Sequence, residues 1–126
     1  MLKILVVDDA DDIRFLLTRL LRHGGFATDA AADGLDGLAC IEASPPDLVL
    51  LDVMMPRMNG VEMLDVLRKH PRFSNMPVVL YTAMADGALI HRARQLGIQD
   101  VILKGAVDGI ELLERLGQRF RSNDVH

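Results

Sequence analysis

The sequence predicts an α/β fold in which a doubly wound, five-stranded parallel sheet carries helices on both faces. Three observations predict it. Short aliphatic runs alternate strictly with longer stretches whose apolar residues recur at helical spacing. The strongest runs are apolar at every position, as strands buried on both faces require. Glycine or proline marks most of the junctions between the two kinds of segment. At 126 residues the chain suits one domain with one sheet, and it shows neither a linker nor an internal repeat.

The first strand is Ile4-Leu5-Val6-Val7, closed by Asp8-Asp9. Asp11 or Asp12 is placed to cap the helix that follows, whose stripe is Ile13, Leu16, Leu17, Leu20 and Leu21. Arg19, Arg22 and His23 suit the negative end of that helix, and Gly24-Gly25 stops it. Residues 26–31 are less apolar and contain Thr28 and Asp29, which suits an edge strand. Asp33 caps a second helix carrying Leu35, Leu38 and Ala39, ended by Ser44-Pro45-Pro46. Leu48-Val49-Leu50-Leu51 is the most buried strand, and Asp52 sits where it ends. Asn59 followed by Glu62 reads as a capping box opening a third helix with Met63, Leu64 and Leu67 inward. Val78 to Tyr81 form the fourth strand, with Thr82 at its end. A helix from about Asp86 buries Leu89, Ile90, Ala93 and Leu96. Val101-Ile102-Leu103 is the fifth strand, ending in Lys104. The last helix starts near Asp108, buries Ile110, Leu113, Leu116 and Phe120, and gives way at residue 122 to a frayed tail, so that residues 1–121 make the domain.

Composition narrows the function. Hydrophobic residues make up 50% of the chain, but aromatics only 4% and tryptophan none, so the core must be aliphatic and methionine-rich. No apolar run approaches the roughly 18 residues of a membrane span. The N-terminus runs directly into a strand and two acids, unlike a signal peptide, and a cytoplasmic location without membrane contact is expected. The single cysteine, Cys40, excludes an internal disulfide and falls in a helical pattern that suits core packing. A net charge of −4 argues against a nucleic-acid-binding surface.

The chemistry lies where the strands end. In an open parallel sheet, ligands collect at the carboxyl ends of the strands. There the sequence sets Asp8 and Asp9 after strand one, Asp52 after strand three, Thr82 after strand four and Lys104 after strand five. Three carboxylates brought together repel, and they stay ionised at neutral pH only when a cation compensates them. A hard divalent ion with oxygen ligands, Mg²⁺ above all, fits that need. A hydroxyl and an ammonium opposite would suit phosphoryl oxygens, and a central carboxylate could attack phosphorus to form an acyl phosphate.

Val6-Val7-Asp8-Asp9, Leu51-Asp52-Val53-Met54-Met55-Pro56 with Asn59-Gly60, Tyr81-Thr82-Ala83 and Leu103-Lys104 together resemble the receiver domain of bacterial two-component response regulators. The resemblance covers almost the whole chain, in order. It implies a flavodoxin-like fold with strand order 2-1-3-4-5. It also implies that Asp52 takes a phosphoryl group from a histidine kinase or a histidine phosphotransfer protein. Asp9, Asp52 and the backbone carbonyl of Met54 would then hold Mg²⁺ (Mn²⁺ could replace it), with Asp8 acting largely through water. Thr82 and Lys104 would hold the phosphoryl oxygens, and small Ala83 would leave the site open. The chemistry implied is the chain's own phosphorylation and dephosphorylation, with output through contact with a downstream protein of unknown identity. Met54 and Met84 would be the variable side chains nearest the approach of a hydrolytic water.

Two positions depart from the family pattern. Gly105 follows the lysine where the family usually carries proline in a cis bond, so a trans peptide and a mobile lysine amine are expected. Val101 stands where an aromatic usually swings inward. Tyr81, beside Thr82, reads either as a substitute for that ring or as an ordinary buried strand residue. Three other readings stand beside the stand-alone receiver. One is a receiver belonging to a larger hybrid kinase or multidomain regulator. Another is a pseudo-receiver that is never phosphorylated. The third, a phosphatase of the haloacid-dehalogenase type, would need an Asp-x-Asp pair after strand one where this chain has adjacent aspartates.

Overall fold

The computed structural model describes the backbone of residues 1–84 and 87–124 and side chains as far as Phe120. Strands and helices alternate in the order β1 (Lys3–Val7), α1 (Asp11–His23), β2 (Ala27–Ala31), α2 (Gly34–Ala43), β3 (Leu48–Leu51), α3 (Gly60–Lys69), β4 (Val78–Thr82), α4 (Ala88–Leu96), β5 (Asp100–Leu103) and α5 (Gly109–Asp124). All strand pairings are parallel and the order is β2-β1-β3-β4-β5, the doubly wound, flavodoxin-like arrangement. The weak second strand lies at one edge, where its polar residues cost least.

The sheet divides the interior into two aliphatic cores because successive strand residues point to opposite faces. Val49 and Leu51 of β3 face a core completed by Ile41 of α2, Met63, Leu64 and Leu67 of α3, and Ile90 and Ala93 of α4. Leu48 and Leu50 face the other, completed by Leu17 and Leu21 of α1 and Leu112, Leu116 and Phe120 of α5. Every residue of β3 is therefore buried, which is why the strand reads as an unbroken aliphatic run.

Several helix readings need correction. Neither Asp11 nor Asp12 caps α1: the N-cap is Ala10, and both acids lie in the first turn, where their charge still favours the helix dipole. Leu16, Leu35, Leu89 and Ile110, expected inside, are 63%, 46%, 38% and 71% exposed. In α5 the inward stripe is Leu112, Leu116 and Phe120, an i, i+4, i+8 spacing, with Leu113 only partly buried against it. Asp33, Asn59 and Asp108 do cap their helices, and Asn59 and Glu62 form the full capping box. The helix start expected near Asp86 lies outside the described residues, and α4 is described from Ala88. Residues 122–124, expected in a frayed tail, continue α5, while 125–126 lie outside the described residues.

Candidate functional site

Parallel pairing brings the carboxyl ends of β1, β3, β4 and β5 to one rim, and backbone hydrogen bonds continue past the strands to register their last residues. Asp8 N–H donates to Ala31 C=O (3.1 Å), Asp52 N–H to Val7 C=O (2.9 Å) and Lys104 N–H to Thr82 C=O (2.7 Å). Asp8, Asp52 and Thr82 are buried at 1%, 6% and 0% exposure, while Asp9 is exposed. Carboxylate oxygens of Asp8, Asp9 and Asp52 lie within 4.8 Å of one another. The Lys104 ammonium closes the cluster, donating to Asp8 Oδ2 at 2.7 Å and Asp52 Oδ2 at 3.2 Å. All five residues expected on the rim thus come from the strand ends, and the four charged ones meet.

Electrostatics differ among them. Burial pushes the Asp52 carboxyl above its ordinary range, and the charge of Asp8 adds to that push. The Lys104 ammonium and a hydrogen bond from the Met54 N–H pull against it. Burial alone would lower the lysine, but its bonds to Asp8 and Asp52 outweigh burial and raise it, so Lys104 stays an ammonium. One ammonium against three carboxylates leaves the cluster short of positive charge. An all-oxygen donor set of that charge fits Mg²⁺ or Mn²⁺, which favour carboxylate and carbonyl oxygens.

Two expectations about the last strand part ways. The Lys104–Gly105 peptide is trans, and Gly105 takes φ +83°, a conformation that glycine adopts without strain. The lysine amine, expected to wander, is instead tethered to both aspartates, because burial beside unpaired carboxylates outweighs the freedom of the loop behind it. Tyr81 does not occupy the place of the missing ring at 101. Tyr81 pairs in register with Ile102 and packs on the α1/α5 side, whereas Val101 pairs with Leu80 and packs on the α4 side. The two occupy opposite faces of the sheet. Tyr81 does lie under Lys104, with its ring centroid 5.8 Å from Nζ.

Around the rim, Met54 and Met84 are 57% and 54% exposed, and the Met84 N–H lies 3.4 Å from Thr82 Oγ1. The loop from Asp52 to α3 packs hard against its own start: a Cβ on Gly60 would stand 2.2 Å from the Asp52 carbonyl oxygen. Two contacts escaped the sequence reading. Arg14 of α1 donates to the Asp8 carbonyl oxygen at 2.8 Å, and Arg57 in the loop pairs with Asp33 at the start of α2. Asp33 carried a visible signal as a helix cap. Arg57 carried none, since a lone arginine after a proline reads as a solvated loop residue.

A sequence model of the response regulator receiver domain matches residues 4–117. The chain is 39% identical over 122 residues to the DNA-binding response regulator MtrA of Mycolicibacterium paratuberculosis, covering 97% of this chain and 52% of that protein. It is 39% identical over 106 residues to the Regulator of RpoS of Escherichia coli, covering 84% of this chain and 31% of that protein. The chain therefore spans about half, or less, of the length of these relatives. Among solved structures, a CheY-like receiver domain from Methanospirillum hungatei superposes with TM-score 0.90 at 27% identity, covering 98% of this chain and 97% of that one. The chemotaxis protein CheY4 of Vibrio cholerae superposes with TM-score 0.86 at 27% identity, covering 94% and 98%.

Proposed function

Since the chain belongs to the family of response regulator receiver domains, we propose that Asp52 accepts a phosphoryl group from a histidine kinase or a histidine phosphotransfer protein and holds it as an acyl phosphate. The observation that carries the reading is the meeting of Asp8, Asp9, Asp52 and Lys104 on one rim, with the Lys104 amine within reach of the acceptor carboxylate.

The chemistry follows from those positions. Asp52, at the end of the central strand and held there by its backbone bond to Val7, is the nucleophile. Its carboxylate oxygen forms the new bond to phosphorus while the donor's nitrogen–phosphorus bond breaks and the donor imidazole keeps the electron pair. Asp9, Asp52 and the Met54 carbonyl are the groups that would hold Mg²⁺, with Asp8 behind them. When bound, that ion supplies the positive charge that lets carboxylates and phosphoryl oxygens share one space. Lys104 is the group that turns from Asp52 to the incoming phosphoryl oxygens, keeping its tie to Asp8. The buried Thr82 hydroxyl, at the neighbouring strand end, is the second donor to them. Output would then pass to another protein by contact, through the face built by α4 and α5.

Acetyl phosphate with Mg²⁺, read by intact mass, tests this. Wild type should gain one phosphoryl group and Asp52→Asn none. Equal labelling of both proteins would move the acceptor elsewhere, and no labelling of wild type would mark the chain as a receiver that is not phosphorylated.

A further inference from the structure

Arg57 is, among the described residues, the only non-glycine with positive φ, at +63°. Left-handed backbone is unfavourable for an L-residue, so something must hold it there. The turn is also tight. Met58 N–H donates to Pro56 C=O at 2.7 Å across Arg57, which makes a γ-turn with positive φ at its centre, a rare and strained form. No glycine relieves that strain. A side chain able to reach Asp33 sits there instead.

Asp33 divides its carboxylate between two tasks. Oδ1 accepts from the Asp36 N–H at 2.9 Å and caps α2. Oδ2 accepts from Arg57 Nε at 2.7 Å and from its terminal NH2. The carboxylate is buried, with 6% of its side chain exposed, so the pair ties the loop to the body of the protein rather than decorating its surface. A second tie lies alongside, from Gly34 N–H to Met58 C=O at 3.4 Å.

This loop is the one that begins at Asp52. Its other end is anchored by the Asn59–Glu62 capping box and by Gly60 N–H donating to Val53 C=O at 2.9 Å. Between the anchors lies Met54, two residues after Asp52 in the same short segment. We infer that the Arg57–Asp33 pair positions this loop for cation binding: by holding the strained turn closed, it fixes the Met54 backbone against Asp52. Arg57 is thus a positioning residue for the acidic cluster, acting from outside it. The inference rests on the reading of that cluster as a divalent-cation site.

Titration of Mn²⁺ into the purified chain, followed by electron paramagnetic resonance, reads the site without any phosphorylation. Outer-shell partners of metal sites typically change affinity by about 10–100-fold when removed. Arg57→Ala and Asp33→Asn, the latter keeping a helix-capping side chain, should each weaken Mn²⁺ binding by about 10-fold, and Arg57→Lys should recover part of the loss. Arg57→Gly relaxes the backbone but removes the tether, and should bind as weakly as Arg57→Ala. Circular dichroism checks that each variant is folded at the titration temperature. Wild-type affinity in Asp33→Asn and Arg57→Ala would overturn the inference, as would recovery in Arg57→Gly, which would assign the effect to the turn alone. If wild type itself fails to bind Mn²⁺ and Asp9→Asn changes nothing, the cation-site reading falls and takes this inference with it.

Discussion

Gly60→Ala should unfold the chain more easily, although glycine to alanine at a helix start is ordinarily neutral or helpful. Gly60 is the first residue of α3, and its φ is not positive, so space rather than backbone freedom selects it. An added Cβ would stand 2.2 Å from the Asp52 carbonyl oxygen and 3.1 Å from both the Asp52 carbonyl carbon and the Val53 Cα. All three are backbone atoms, which cannot rotate aside. A real Cβ keeps at least 3.0 Å from such atoms, so the two segments must part by about 0.8 Å. Parting strains the Gly60–Val53 hydrogen bond that closes the loop. Overpacking of this kind costs about 1–3 kcal/mol and a weakened hydrogen bond about 1 kcal/mol more, against a gain of at most about 1 kcal/mol from replacing glycine in a helix. The expected net loss is about 2 kcal/mol. Urea unfolding followed by far-ultraviolet circular dichroism measures it, since the chain has no tryptophan to report by fluorescence. Gly109→Ala is the matched control. It opens α5 as Gly60 opens α3, but its Cβ would meet only the movable end of Leu20, at 3.0 Å. Equal midpoints for the two variants would refute the argument from the backbone contact. The same displacement moves Asp52, so phosphoryl uptake should also slow in Gly60→Ala and not in Gly109→Ala.

Other outcomes follow from side chains away from that contact. Asp100 accepts from Arg115 at 2.7 and 3.1 Å and lies 3.2 Å from Arg119, which holds its carboxyl below the ordinary 3.8 against the opposing effect of burial. Its stabilisation is therefore fully present above pH 3.8 and fades as pH falls through the lower folded value. Asp100→Asn should cost about 1–2 kcal/mol at pH 7, with the gap to wild type closing below pH 3.8 in urea titrations, and a gap unchanged with pH would refute the assignment. Met54→Asn combined with Met84→Glu should speed loss of phosphate from the phosphorylated chain without blocking its uptake, because thioether sulfur orients water poorly and both side chains stand exposed at the rim. Decay at the wild-type rate would show that water access at these positions does not set the lifetime.

How far the sequence could be read depended on what kind of information a residue carries. Strands were legible because burial on both faces leaves an unbroken aliphatic run, as in Leu48 to Leu51, and the rim followed because strand ends in a parallel sheet must share a side. The placement of Asp8, Asp9, Asp52, Thr82 and Lys104 needed nothing more. Helix phase was harder. Leu112 and Leu113 are adjacent leucines that satisfy two registers of the same stripe, and only the sheet decides that Leu112 faces it while Ile110 faces water. Capping by Asp11 or Asp12 failed for a local reason: Asp8 already accepts from Ala10 N–H at 2.9 Å, which lets the helix begin without a capping side chain. Long-range pairing was least legible. Nothing in the spacing of Asp33 and Arg57 announces a contact across 24 positions of sequence, and the tether on Lys104 depends on how deeply two carboxylates are buried.

The sheet keeps its two aliphatic cores apart, one shared with α2, α3 and α4 and the other with α1 and α5. Only the backbone of the strands is common to both. Side chains that repack on one side have no neighbour to disturb on the other, so substitutions in the two cores are close to energetically independent. Such a protein can change the exterior of one helical layer, and with it whatever that layer meets, while the opposite layer goes on unaltered. The strand ends sit above both layers and belong to neither. The two flanks can thus be altered by substitution one at a time.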